Sequence, residues 1–199
     1  MAKVFLGLGT NLGNKKNNLL TAVNKIEEKI GKVTSLSSFY ETEPWGFKSD
    51  NSFLNAALCV ETSLSPLAIL HILKEIETDM GRTQKSVNKV YSDRPIDIDI
   101  LLYDDIVMMT DELTIPHPLM TERDFVMKPL VEIAGDTVHP VFGKRLEEIF
   151  QYSNPINLIR TAVKNIFFCS FSLNTTYIYK NTTCIYINIS CIYKYIICI

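Results

Sequence analysis

Apolar residues in this chain recur with two periods, one for strands and one for helices. Val4–Leu8 is a short apolar run that opens into a turn-rich segment, Gly9-Thr10-Asn11-Leu12-Gly13. Leu19, Val23, Ile26 and Ile30 then recur at helical spacing, with Gly31 as the stop. Val33–Tyr40 reads as a strand, Glu41–Asn51 as a polar loop, and Phe53–Thr62 as a second strand. Ser65-Pro66 opens the next helix, Ser as cap and Pro in the first helical position. Its buried face is Ile69, Ile72, Leu73, Ile76 and Met80, and Gly81 ends it. A long polar segment, Arg82–Arg94, leads into the strand Ile96–Tyr103. Asp104-Asp105 is predicted to turn that strand back into Ile106–Met109, and a last helix is expected at about Phe125–Ala134.

The order β-α-β-β-α-β predicts an α+β fold of the ferredoxin-like type, an antiparallel sheet with helices packed on it. Enzymes, metal carriers and RNA binders all use that architecture, so function has to be read from a site. The 199 residues suffice for one domain with a real core. We expect that domain at residues 1–152. Beyond Glu148 there is no Asp, Glu or Gly, and Ile, Tyr, Asn, Thr, Cys and Lys dominate. These amino acids are well served by AT-rich codons. Residues 153–199 therefore read as an anomalous tail that is not part of the catalytic fold, with roughly Asn157–Ile199 translated from a shifted frame or read-through sequence. The other reading is a genuine β-rich extension, which would be prone to aggregate if exposed.

A net charge of −2 argues against a broad nucleic-acid or anionic-membrane surface. No apolar run is long enough for a membrane span, and the N-terminus lacks the form of a signal peptide. A cytoplasmic protein is the expectation. Cys59 reads as a buried free thiol. The other four cysteines, in the tail, lack zinc-site spacing.

The strongest chemical signal is Arg94-Pro95-Ile96-Asp97-Ile98-Asp99. Side chains alternate across a strand, so Asp97 and Asp99 share one face and the isoleucines the other. Two adjacent carboxylates repel each other unless a cation lies between them. Magnesium suits them, since it takes one or two carboxylates and completes its shell with water and phosphate oxygens. Arg94, held extended by Pro95, has the planar fork that matches phosphate. A bare Asp-x-Asp would otherwise read as two solvated acids on an open sheet face. Arg82, Lys85 and Lys89 lie in the preceding loop, which is either a functional lid or a plain surface connection. Phe53 and Asn55 share a strand face, where a ring and an amide suit the face and edge of a flat heterocycle. A core Phe beside a turn-related Asn is the alternative. Trp45, the only tryptophan, sits in a loop, where an aromatic more often covers a ligand than packs a core. His71 reads as structural, and His139 has no evident partner.

These segments together resemble the 6-hydroxymethyl-7,8-dihydropterin pyrophosphokinase family of folate biosynthesis. The resemblance runs to about Phe150 through GLGTNLG, SSFYETEPWG, FLNAAL, DRPIDIDILLY and IPHPLMTERDFVMKPLVEIA. It implies transfer of pyrophosphate from ATP to a pterin hydroxymethyl group, leaving AMP. It further implies that Asp97 and Asp99 bind two magnesium ions. Thr42, Pro44, Trp45, Phe53, Asn55 and Phe125 would line the pterin pocket. Glu77, Tyr91, His117 and Arg123 would lie on the nucleotide side, and Arg82 and Arg94 would be catalytic. The implied partners are ATP and the pterin, with no nucleic acid or membrane, in a monomer working beside dihydropteroate synthase. The chain departs from the pattern in Val90-Tyr91-Ser92-Asp93, where many relatives carry Trp-Gly-Pro, and in Gln84 and Glu112, where some carry arginines. Two other readings compete with this one. A nucleotidyltransferase or cyclase would use similar paired carboxylates and release pyrophosphate. An RNA-binding module would need exposed aromatics on a basic sheet, which the acids oppose.

A chain ending at Tyr152 is expected to turn over as fast as the full-length protein in a steady-state AMP assay. A strong loss would show the tail to be part of the enzyme.

Overall fold

The structure, a computed structural model, describes residues 1–46, 49–82 and 93–153. The expectations for Gln84, Lys85, Lys89, Tyr91 and the tail from residue 154 onward lie outside the described residues.

Strand β1 (Ala2–Thr10) runs through the middle of the main sheet. Helix α1 (Lys15–Lys29) follows, its N-terminus capped by the Asn14 side chain, which accepts from the Asn17 N–H at 3.1 Å. Then come β2 (Lys32–Leu36), β3 (Tyr40–Thr42) and β4 (Phe53–Thr62). Helix α2 (Pro66–Asp79) has the predicted Ser65 cap and leads to β5 (Asp97–Tyr103). Two short strands follow, β6 (Met108–Met109) and β7 (Thr114–Ile115), then α3 (Asp124–Ala134) and α4 (Leu146–Ser153). The sheet order is β2-β4-β1-β5, with β3 also paired to β4, and every pairing is antiparallel. This is the predicted ferredoxin-like arrangement.

The two faces of the sheet bury different partners. Val4, Leu6, Leu8, Leu58, Val60, Ile98 and Ile100 pack with Leu19 and Ile26 of α1 and Ile69, Leu73 and Ile76 of α2. Each such Leu or Ile contributes roughly 1.5–3 kcal/mol by leaving water. Phe5, Ala57, Cys59 and Leu101 face the other way, against Met127 and Leu130 of α3 and Leu146 of α4. So α1 and α2 cover one face, as expected, while the C-terminal helices cover part of the other. Cys59 is a buried free thiol.

Three details differ from expectation. First, β1 continues through Gly9 and Thr10, so the turn begins only at Asn11. Second, the strand expected over Val33–Tyr40 is broken. Ser37 Oγ accepts from the Ala57 N–H, and Ser38 bonds the Glu132 carboxylate through both its N–H and its hydroxyl. Side-chain hydrogen bonds thus replace part of the ladder. Third, Ile106–Met109 does not return along β5; Met108 and Met109 pair with β7. The outer edge of β5 is already occupied, since the Ile98 N–H donates to Glu77 Oε1 at 2.8 Å and Leu101 O accepts from the His117 N–H at 3.0 Å. Helix α4 was not anticipated.

Gly31 closes α1 against β4, and a Cβ there would collide with the Glu61 carbonyl oxygen. Gly31→Ala is expected to destabilise the fold by about 1–3 kcal/mol, read as a lower urea midpoint, because backbone rather than a side chain must move.

Candidate active site

The C-terminal helices leave one end of their face of the sheet uncovered, and a pocket of about 650 Å³, open to solvent, lies there. Its floor follows from strand register. Gly9 of β1 stands between Asn55 of β4 and Asp97 of β5, and Gly7 stands between Ala57 and Asp99. A Cβ on Gly9 would lie 3.0 Å from Asn55 Oδ1, and one on Gly7 would lie 3.4 Å from the Leu101 side chain. The bare glycines therefore keep the middle of the floor low, with the amide on one side and the carboxylates on the other. Glycines two apart in an apolar strand are a legible sign of such a floor. In GLGTNLG the turn-forming residues that follow mask that sign.

One wall is aromatic. Phe53 and Asn55 share a face of β4, as the period of two requires, and the Asn55 Nδ2 donates to Thr42 Oγ1 at 2.7 Å. Trp45 and Phe125 lie with ring centroids 6.2 Å apart and planes tilted by 55°, and both line the pocket. Arg123, almost fully buried, lies over Trp45 at 4.8 Å and over Phe125 at 5.8 Å. Glu43 also lines the pocket and was not anticipated; Pro44 joins Glu43 to Trp45 without lining it.

The opposite side is a charge cluster. The Nη1 of Arg82 lies 2.5 Å from both Glu77 Oε1 and Asp97 Oδ1, and Arg94 Nη1 lies 2.8 Å from Asp97 Oδ2. Asp97 is thus held by two guanidinium groups. Arg94 also lies over the Phe53 ring at 5.8 Å, linking the ionic and aromatic sides. Burial raises the Asp99 carboxyl well above its usual range, to about 7, and repulsion from Asp97 and Glu77 adds to the rise. Burial likewise raises Glu77 to about 6, against the pull of Arg82.

Glu77 and His117 stand behind the pocket rather than in its lining. Burial, then the nearby Arg123 charge, lowers His117 to about 4, so it is neutral at pH 7. Its Nδ1 accepts from the Leu119 N–H at 3.2 Å, which leaves Nε2 as the protonated nitrogen. His71 is exposed and lies 3.3 Å from Glu112, on the surface rather than in the core. His139 Nδ1 accepts from the backbone of Val141 and Phe142.

Glu77 gives a pH test of this geometry. Its folded value lies above the ordinary 4.5, so between pH 4.5 and about 6 the native state binds more protons than the unfolded chain. Stability from this group is complete below that window and falls as pH rises through it, by about 2 kcal/mol in all. Glu77→Gln, which keeps an acceptor for the Ile98 N–H, is expected to flatten this fall in urea titrations at pH 4.5 and 7. An unchanged slope would contradict the assignment.

Several known proteins are similar to this chain. Residues 5–135 match the family model described as 7,8-dihydro-6-hydroxymethylpterin-pyrophosphokinase. A 2-amino-4-hydroxy-6-hydroxymethyldihydropteridine pyrophosphokinase of Porphyromonas gingivalis is 49% identical over 141 residues, 70% of this chain and 95% of the relative. One of the same name from Aquifex aeolicus is 41% identical over 148 residues, 74% of this chain and 90% of the relative. The fold is similar to a crystal structure of Plasmodium falciparum HPPK-DHPS with pteroate, at a TM-score of 0.62 and 18% identity. That match covers 76% of this chain and 42% of the other. With nearly half of its aligned residues identical to a pyrophosphokinase that it covers almost end to end, the chain belongs to the 7,8-dihydro-6-hydroxymethylpterin-pyrophosphokinase family.

Proposed function

We propose that this protein transfers the β,γ-pyrophosphoryl group of ATP to the hydroxymethyl oxygen of 6-hydroxymethyl-7,8-dihydropterin. The carrying observation is the row Asp97–Gly9–Asn55 across three strands, which sets a carboxylate pair and a heterocycle pocket on one floor. In the reaction the pterin hydroxyl oxygen bonds to the β-phosphorus. The bond from that phosphorus to the oxygen shared with the α-phosphorus breaks. AMP leaves with that oxygen, and the hydroxyl proton is released.

The pterin stacks against Phe53 and Phe125 under Trp45, and Asn55 with Thr42 reads its polar edge. Arg82 and Arg94 suit the transferring phosphates, where planar guanidinium groups neutralise charge as it develops. Arg123 and the Nε2–H of His117 add donors on the nucleotide side.

The donor set fits magnesium. Among the described residues no group of three or more His, Cys, Asp or Glu could hold a metal by protein ligands alone. A pair of carboxylates is what magnesium shares with a triphosphate. Burial first, then repulsion from Asp97 and Glu77, pushes Asp99 toward its neutral form, and a divalent cation would relieve that pressure. Asp97 and Asp99 would hold two magnesium ions, which supply charge neutralisation across the triphosphate. Among the described residues no helix is long and apolar enough to cross a membrane. The protein would act in the cytoplasm as a monomer, and action beside a dihydropteroate synthase accords with the joined HPPK-DHPS chain that shares its fold.

Incubation with MgATP and the pterin is expected to yield AMP only when both are present. ADP, or pyrophosphate with no pterin product, would reject the proposal and favour the nucleotidyltransferase class. Asp97→Asn and Asp99→Asn are each expected to lower kcat by about 10³-fold or more while thermal unfolding stays cooperative. Near-normal turnover in either variant would refute the metal assignment.

A further inference from the structure

Asp93 precedes Arg94 in the chain but does not line the pocket. Its two carboxylate oxygens reach two separate segments. Oδ1 accepts from Asn11 Nδ2 at 2.7 Å, and Oδ2 accepts from Asn51 Nδ2 at 2.8 Å. Asn11 directly follows β1 and is 3% exposed. Its Oδ1 accepts from the Arg94 N–H at 2.8 Å, and its own N–H donates to Arg94 O at 3.2 Å. One buried asparagine therefore grips the backbone of Arg94 from both sides, and its amide nitrogen is oriented by Asp93.

Asn51 stands two residues before Phe53, where β4 begins. Phe53 and Asn55 are fixed independently, Phe53 by pairing with β3 and Asn55 by pairing with both β1 and β3. Asn51 thus ties Asp93 to the bend that leads directly into β4. A carboxylate, which only accepts, matches two facing amide NH₂ groups. Hydrogen bonds from Ser49 first, then from Asn51 and Asn11, hold the Asp93 carboxyl below its usual range, so it is ionised at neutral pH.

We infer that Asp93 is a positioning residue for the transfer step: bridging Asn51 and Asn11, it sets the place of Arg94 relative to the Phe53–Asn55 wall. This rests on the reading of Arg94 as a phosphate-stabilising group. An arginine displaced by an ångström loses most of its benefit in the transition state, while the pterin wall stays in place.

The test uses the full-length chain, with AMP formation for kcat and the fluorescence of Trp45 for pterin affinity. Asp93→Ala is expected to lower kcat by about ten- to a hundredfold, with pterin affinity little changed. Asp93→Asn is expected to recover most of the loss, because its carboxamide serves both neighbours once the Asn51 amide turns over. Asn51→Ala should fall in the same direction, and the Asp93→Ala/Asn51→Ala double variant should be no slower than Asp93→Ala alone. If Asp93→Ala does not fold, Asn51→Ala carries the test by itself, since it leaves the Asn11 clamp intact. Wild-type kcat in Asp93→Ala, or in Asn51→Ala where Asp93→Ala does not fold, or losses that multiply in the double variant, would overturn the role of Asp93. A wild-type protein that forms no AMP would instead reject the pyrophosphokinase reading, and this inference with it.

Discussion

The antiparallel register of β1 between β4 and β5 is the constraint on which the rest of the structure depends. Side chains alternate strictly along a strand, so one register decides every neighbour on both faces. In this register Val4, Leu6 and Leu8 meet the apolar side chains of both partners and build the core under α1 and α2. The same register places Gly9 between Asn55 and Asp97. Two strand spacings, about 9–10 Å, then separate a hydrogen-bonding amide from a carboxylate across a bare floor. A one-residue slip would turn Asp97 and Asp99 into the core and expose the isoleucines.

The carboxylates gathered at that floor would repel one another if nothing compensated them. Arg82 and Arg94 converge on Asp97, and Arg82 reaches Glu77 as well. Burial penalises the charged form and repulsion between the carboxylates adds to it, which is why Glu77 and Asp99 rise above ordinary carboxyl values although cations stand close by. Glu77 also closes the edge of β5 through the Ile98 N–H, so one side chain serves the sheet and the charge cluster together. The overall charge of −2 conceals this local concentration of arginine, and an anionic ligand would meet the local field rather than the average one.

Much of this was legible in the chain itself. The period of two in Ile96–Leu101 put the aspartates on one face, and the same period paired Phe53 with Asn55. The Ser65-Pro66 helix start and the span of β4 follow from local chemistry and agree with the structure. Other features were hidden because their cause lies far away in sequence. The break between β2 and β3 depends on Ser37 and Ser38 finding Ala57 and Glu132. The pairing of β6 with β7 depends on Glu77 and His117 already occupying the edge of β5. Helix α4 is short, with an apolar face that gains its meaning only against α3.

By itself the sequence determined which residues share a strand face, where the helices start, and which family the chain belongs to. These are matters of local period, capping and motif. Only the tertiary structure decided that two alternate glycines form a floor, that Arg82 and Arg94 meet on one aspartate, and that Asp93 joins Asn11 to Asn51. Each of those contacts links positions far apart in the chain or across strands, and only packing and register bring such positions together.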